Sequence, residues 1–423
     1  MALALTADQD QRAPDELGAD GPAAPGPGGA VTGAVIKRLS LNNYRSYSSA
    51  RIDVPGDARP VILTGENGAG KTNILEALSF LSPGSGLRRA GLGEVSKVGG
   101  NGPWAVASHI NMGDDTVQIG TGLLVDNDND GPQRRVVRVD GCDQPGQTVL
   151  SDLLSVIWLT PQMDRLFTEG ASSRRRFFDR MVLALHGDHG RQVGAFERAM
   201  RERNKILSDF GAGADPVWLN ALEARMAEHG IAVATARLDY AGQLAGQLAA
   251  APAGAFPQAQ LALDGWLENR VAGDSAPLEI ELEYREALKA ARSQDAASGR
   301  AAIGAHKVDL LVTHTAKGMI AGQCSTGEQK ALLISLILAG ATLRRAVTGA
   351  APLVLLDEVA AHLDETRRAA LFDALIDTGS QCWMTGTDTS LFDALVGRGL
   401  FFKVADGKVV PDHTLNIEHK KEV

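Results

Sequence analysis

One stretch of eight residues constrains this chain more than any other. Gly65-Glu66-Asn67-Gly68-Ala69-Gly70-Lys71-Thr72 has the spacing of a phosphate-binding loop, G-x-x-x-x-G-K-[ST]. Val61-Ile62-Leu63-Thr64 before it predicts a strand, and the residues from Asn73 to Leu81 predict a helix. Glycines allow backbone N–H groups to turn inward around phosphate oxygens, and the N-terminus of the following helix points at the same anion. Lys71 would neutralise the β and γ oxygens, and the Thr72 hydroxyl would hold Mg2+. The expected ATP contacts are therefore Gly65, Glu66, Asn67, Gly68, Ala69, Gly70, Lys71, Thr72 and Asn73. The plainer reading, a glycine turn beside a surface lysine, does not account for the strand and helix on either side.

Such a loop needs an acid on a neighbouring strand. Pro352-Leu353-Val354-Leu355-Leu356-Asp357-Glu358 supplies a buried apolar run ending in two carboxylates. Open α/β sheets place ligands at that end of their strands. Asp357 would bind the Mg2+ shell, and Glu358 would act as general base on the attacking water. Lys71 and Asp357 lie 286 positions apart, more than small kinases or GTPases use. Between them, Cys324-Ser325-Thr326-Gly327-Glu328-Gln329-Lys330 opens an apolar helix from Ala331 to Ala346. Ser325 and Gly327 at a helix start could form a second anion site. One chain cannot easily bring both sites to one γ-phosphate, whereas two chains head to tail can, which predicts an ATP-dependent homodimer. The competing reading is a helix cap, with Ser325 and Glu328 forming a capping box.

The rest of the chain organises around these motifs. Residues 1–33 carry five acids against one base and the run PAAPGPGG, which predicts a disordered tail. Order should begin near Val35, with a strand over Val35–Leu41 and a turn at Asn42-Asn43. Residues 34–172 would form the first part of an ATPase head. Residues 173–295 would form a helical lobe, in which Leu278–Tyr284 alternates like a strand. Residues 296–423 would complete the head. The fold class is thus α/β, a P-loop ATPase head split in sequence by a helical insertion too short for a long coiled-coil arm. No long apolar run predicts a membrane span, and the start of the chain lacks the pattern of a secretory signal. Three well-separated cysteines fit a reducing cytoplasm. Histidines show no metal-ligand spacing, and the five tryptophans read as core.

With these residues in place, the chain resembles the ABC-type ATPase heads of the SMC class, and among them the RecF family of bacterial recombination mediators. The resemblance runs from Val35 to the C-terminus and rests on several segments. Leu39–Tyr47 is similar to the opening strand and turn, and Leu81–Arg88 to the segment after the Walker A loop. Arg174–Arg180 and Gly304–Leu310 are similar to stretches found in RecF proteins rather than in transporters. The resemblance implies that Gln162, within Thr160-Pro161-Gln162-Met163-Asp164, contacts Mg2+ and water as a Q-loop residue. It makes Ser325–Gln329 the signature, Asp357-Glu358 the Walker B pair and Asp364 a D-loop contact. Thr326 and Cys324 depart from the usual signature. Met384-Thr385-Gly386-Thr387-Asp388 lacks the customary switch histidine, which makes Thr387 a candidate γ-phosphate contact and implies slow hydrolysis.

The net charge is −9, yet residues 173–210 carry nine Arg and Lys against five acids. A local basic surface binds phosphate backbone whatever the global balance. Candidate DNA contacts are Arg174, Arg175, Arg176, Arg198, Arg201 and Lys205, the last three at i, i+3 and i+7 on one helical face. A solvated face with a Glu197–Arg201 pair is the alternative. The resemblance implies a slow, DNA-stimulated ATPase acting on double-stranded DNA near single-strand gaps in repair and replication restart, with RecR and RecO as partners. The competing reading is an ABC-type switch or transporter subunit acting on another protein.

Overall fold

The computed structural model describes residues 33–124, 133–252, 254–273 and 275–416. The expected tail lies outside these residues apart from Gly33.

The chain begins with the hairpin β1 (Val35–Tyr44) and β2 (Tyr47–Asp53), paired antiparallel through Tyr44 and Tyr47. The turn falls at Arg45-Ser46, not at Asn42-Asn43. Asn43 stays in the strand with φ +52°, a conformation asparagine tolerates. Leu39 and Leu41 face inward while Lys37 and Asn42 face out, and a register shift after Ile36 lets that residue also point to the core. Then come β3 (Val61–Thr64) and α1 (Lys71–Ser79). β4 (Ala105–Met112), β5 (Asp115–Leu124), β6 (Arg134–Val139) and β7 (Cys142–Asp143) complete an antiparallel sheet of order β2-β1-β4-β5-β6-β7.

Beyond α2 (Val149–Leu153) and β8 (Val156–Leu159) the chain becomes helical, with α3 (Ala171–Leu183), α4 (His189–Phe210) and α5 (Pro216–Ala250). β9 (Ala259–Asp264), α6 (Trp266–Val271), α7 (Pro277–Ala290) and α8 (Arg292–Ser298) follow. Leu278–Tyr284 is therefore helix, not strand. Ile280, Tyr284 and Leu288, four apart, are buried while Leu278 and Leu282 are exposed. β10 (Asp309–His314) pairs with β9 on one side and β11 (Met319–Ile320) on the other.

The remaining elements are α9 (Thr326–Thr348), β12 (Leu353–Leu356), α10 (Glu365–Asp377), β13 (Cys382–Gly386), β14 (Leu400–Ala405) and β15 (Lys408–Pro411). They close a second sheet of order β15-β14-β3-β13-β12-β8, in which β14, β3, β13, β12 and β8 run parallel. β3, from early in the chain, lies between two strands from its end. Its four residues are all buried, as are those of β12, because both faces of this sheet are covered.

Successive residues of β12 serve different cores. Leu353 and Leu355 pack with Trp158, Leu75 and Trp383 toward the antiparallel sheet. Val354 and Leu356 pack with Met181, Tyr240, Leu333 and Phe372 toward the helices. A third core, with Phe196, Met226, Leu267 and Tyr284, holds the helical insertion together. Helix α9 is long and apolar enough to cross a membrane, with mean hydropathy 1.5, but it is mostly buried within the protein. Its Leu332, Leu333, Leu336 and Ile337 lie in the core shared with β12 and α5. Trp104, Trp158 and Trp383 are buried, but Trp218 is exposed, contrary to its reading as core.

Candidate functional site

The phosphate-binding loop leaves the end of β3 and enters α1, and its glycines hold conformations other residues avoid. Gly65, Gly68 and Gly70 have φ of +155°, +84° and +107°. A Cβ at Gly65 would stand 2.2 Å from the Val404 carbonyl oxygen, and one at Gly70 2.7 Å from the Tyr47 hydroxyl. Tyr47 donates to the Gly70 carbonyl at 3.0 Å, and Asn73 Nδ2 donates to Ser46 Oγ at 2.9 Å, so the β1–β2 turn braces the loop. Gly70 caps α1 with no side-chain bond to its first N–H groups. Glu66, Asn67 and Gly68 are exposed on the loop, and Ala69 N donates back to the Glu66 carbonyl. Helix α1 begins at Lys71, two residues earlier than the sequence predicts. The loop borders a cavity of about 790 Å3, also lined by Ser46, Thr387 and the β14–β15 hairpin.

Lys71 is buried, and its Nζ donates to the carbonyls of Gly65 at 2.7 Å and Glu66 at 2.9 Å. Burial lowers its pKa, opposed by the nearby carboxylates of Glu358 and Asp357. The Thr72 hydroxyl donates to the Asp357 carboxylate at 2.9 Å. Asp357 reaches this point because β12 lies between β8 and β13, and its own N–H donates to the Leu159 carbonyl. The Thr385 hydroxyl, on β13, donates to Asp357 Oδ1 at 2.8 Å and accepts from the Glu358 N–H at 2.9 Å. Glu358 adopts a left-handed backbone, φ +52° and ψ +22°, which costs a non-glycine residue about 1–2 kcal/mol. That turn brings two consecutive acids to the strand end.

A hydroxyl and a carboxylate within one hydrogen bond form a hard-oxygen pair suited to Mg2+. Among the described residues no three His, Cys, Asp or Glu side chains gather to hold a metal. The ion would take its other ligands from phosphates and water, as Mg2+ does in nucleotide sites.

The other predicted contacts are placed differently. Gln162 is exposed in the turn Pro161–Arg165 after β8, and among the described residues no side-chain hydrogen bond joins it to Asp357. Asp164 in the same turn lies 3.6 Å from the buried Lys330 of α9, whose Nζ is 3.1 Å from His362 Nδ1. Asp364 caps α10 by accepting from Arg367 N at 2.9 Å. Ser325 caps α9. Glu328 N donates to its Oγ at 3.4 Å, and the Glu328 carboxylate accepts from Ser325 N at 3.0 Å and Oγ at 2.9 Å. Lys317 pairs with Glu328, and with the Ser325 bonds it holds that carboxyl down to about 2. Gly327 lies exposed in the first turn, with open space where a Cβ would go. Within one chain Ser325 is thus a satisfied cap.

The basic residues divide. Arg174 is committed within the chain: it pairs with Asp309 at 2.7 Å and donates to the Glu169 carbonyl. Arg175 donates to the Val308 carbonyl at 2.9 Å. Both guanidiniums tie α3 to the β10 segment. Arg176 is exposed and donates to Ser173 Oγ. Arg198, Arg201 and Lys205 share an exposed face of α4, with Arg201 3.3 Å from Glu197.

Residues 35–395 match the RecF/RecN/SMC N terminal domain family. The "DNA replication and repair protein RecF" of Rhizobium rhizogenes is 48% identical over 377 residues, covering 88% of this chain and 98% of that protein. The protein of the same description from Agrobacterium fabrum gives the same figures. This chain belongs to the RecF family. Two solved RecF structures, described as RecF-ATPrS and RecF-ATP in the RecFOR pathway, share its fold with TM-scores of 0.77 and 0.74. Each is 20% identical and covers 90% of this chain and 99% of its own length.

Two parts of this RecF-family site escaped the sequence reading. Thr385 ties the two acids together, but threonine is ordinary in a strand and only the β12–β13 register places it beside Asp357. Ser46 of the β1–β2 turn and Tyr47 at the start of β2 prop the loop. Their one signal was an aromatic at a turn, which also fits a core residue.

Proposed function

We propose that this chain binds ATP with Mg2+ at the phosphate-binding loop and closes a head-to-tail homodimer that grips double-stranded DNA near single-strand gaps. The observation that carries the nucleotide reading is the hydrogen-bonded chain Thr72–Asp357–Thr385–Glu358 N–H, set at the strand ends beside Lys71. The RecF name of its relatives and the ATP of the two solved structures support the same reading. RecR and RecO are proposed as partners from the RecFOR description, and loading of a recombinase in the cytoplasm as the outcome.

In this mechanism the loop's N–H groups and the α1 N-terminus hold the phosphates, and Lys71 exchanges the Gly65 and Glu66 carbonyls for phosphate oxygens. Thr72 and Asp357 would hold Mg2+, which would neutralise charge on the phosphate oxygens. The Glu358 carboxylate takes a proton from the water that attacks the γ-phosphorus, and the β–γ bridging bond breaks to leave ADP. Its left-handed backbone fixes where that carboxylate emerges. β13 and the turn after it, Cys382–Asp388, carry no histidine to assist the water; Thr385 is committed to Asp357, which leaves Thr387, exposed at the cavity rim, for the γ-phosphate. Slow hydrolysis, stimulated when DNA favours the closed dimer, follows from this reading.

Light scattering tests the dimer. The Glu358→Gln protein should double in mass with Mg·ATP and stay single without it. A mass that ignores ATP would sink the trans-acting arrangement while leaving the ATP site in place.

A further inference from the structure

A second cationic site lies away from the phosphate-binding loop, where residues 82–89 meet α3 and α4. A cavity of about 160 Å3 opens there, lined among others by Arg89, Arg176, Arg180, Trp158 and residues 82–86. It exceeds several-fold the roughly 30 Å3 that one water occupies.

Its charges are unbalanced. The Arg180 guanidinium lies 3.5 Å over the Trp158 ring, and its buried Nη1 has no hydrogen-bond partner. Stacking holds that fork in one orientation, so a bound anion costs it little further entropy. Arg89 and Arg176 are exposed at the rim, and neither forms an ion pair among the described residues. Asp179 and His189 also line the cavity, but Asp179 is already taken by Arg237 at 2.8 Å and by His189 at 2.9 Å. Glu197, the other carboxylate near Arg89, is engaged by Arg201. Burial pushes Arg180 down to about 9, and repulsion from Arg89 and Arg176 adds to it. Three guanidiniums share one hollow without an unengaged carboxylate, an arrangement that an anion relieves.

We infer that Arg89, Arg176 and Arg180 form a binding site for a phosphate group. A backbone phosphodiester of DNA and free inorganic phosphate share this chemistry. The DNA source rests on the DNA-binding reading above, whereas the site itself does not. The site is linked to α1 through the neighbour of Arg89: Arg88 donates to Asn73 Oδ1 at 2.7 Å and lies 3.5 Å from the buried Glu76. A phosphate seated on Arg89 therefore holds the segment that steadies the start of α1.

The test uses the full chain with Mg·ATP and two probes at matched ionic strength, inorganic phosphate and a short duplex. Tryptophan emission follows phosphate through Trp158, and anisotropy follows the duplex. The variants are Arg176→Gln and Arg89→Asn, the latter because asparagine tolerates the φ of +58° found there. Both positions are exposed, and circular dichroism checks the fold. We expect a saturable phosphate response that both variants lose. We also expect duplex binding about three- to tenfold weaker in each, with the salt slope reduced by about 1 for each DNA phosphate no longer neutralised. A phosphate response with duplex affinity untouched by the variants keeps the site and assigns it to free phosphate. A phosphate response in a protein that binds no duplex sinks the DNA reading and leaves the site. No phosphate response, with duplex binding unchanged in both variants, overturns the site and leaves the DNA reading standing.

Discussion

Helices α1 and α9 both begin with small residues and a backbone arranged to attract an anion, yet their ends are finished in opposite ways. Gly70 opens α1 without any side-chain cap; the Asn73 N–H turns back to the Gly70 carbonyl at 3.0 Å, which leaves the N–H groups of Lys71 and Thr72 for whatever the loop encloses. Ser325 opens α9 with its own anion in place. The Glu328 carboxylate sits across the helix start, and Lys317 secures it. The helix dipole favours negative charge at both positions. At α1 no side chain occupies the helix start, whereas at α9 the Ser325 hydroxyl and the Glu328 carboxylate are engaged with each other. For Ser325 to reach a nucleotide on a second protomer, its hydroxyl must leave Glu328, so closure of the dimer carries a local cost of its own, beside the exchange of the Gly65 and Glu66 carbonyls that Lys71 makes at the phosphate loop.

The largest effect that would break this contrast is at Lys71. Lys71→Ala removes the charge for the phosphates and the ties to the Gly65 and Glu66 carbonyls, and should weaken ATP binding at least a hundredfold, about 3 kcal/mol. Titration with a fluorescent ATP analogue measures it. A loss under fivefold would mean that the loop does not depend on its lysine. Next comes Thr385→Val, which keeps the shape but strips both hydrogen bonds. A deficit of about 1–3 kcal/mol should slow phosphate release roughly ten- to a hundredfold with ATP affinity little changed. Equal losses in affinity and rate would instead make Thr385 a folding residue.

Ser325 sharpens the comparison. Ser325→Ala should cost about 1 kcal/mol of stability through the missing cap, read as a lower denaturant midpoint. It should also weaken ATP-dependent dimerisation, whereas loss of the cap alone would leave the dimer intact. Because Lys317 and Ser325 hold Glu328 down to about 2, the cap is present above the ordinary carboxylate range and is lost only as pH falls toward 2. Dimerisation between about pH 6 and 8 should therefore show no step from this group. The smallest effect is expected at the exposed face of α4. Charge reversal at Arg198 and Arg201 should weaken duplex binding a few-fold and flatten its salt dependence. Unchanged affinity at every salt concentration would remove that face from the DNA surface.

The phosphate loop was legible in the sequence because its requirements are residue identities: glycine where φ is positive, lysine and threonine at fixed offsets. Asp357 and Glu358 were legible because a buried parallel strand reads as an unbroken apolar run with acids at its end. What failed depended on partners far along the chain. Arg174 reads as a free charge until Asp309, 135 positions later, is folded against it. Thr385 gains its role only from the β12–β13 register. α7 was misread because Leu278 and Leu282 are exposed, and with Ile280 and Tyr284 they mimic a period of two on a helix that buries every fourth residue. The capping box at Ser325 was visible, but sequence could not decide between a cap and a trans contact. The structure shows the cap and leaves the trans role to a second chain.

The most direct test is anisotropy of gapped DNA with the Glu358→Gln protein, with and without Mg·ATP. Removing the general base while keeping the nucleotide should trap the closed dimer, so DNA binding should appear with ATP and be weak without it. Binding of equal strength in both conditions, or none in either, would contradict a nucleotide-gated grip on DNA.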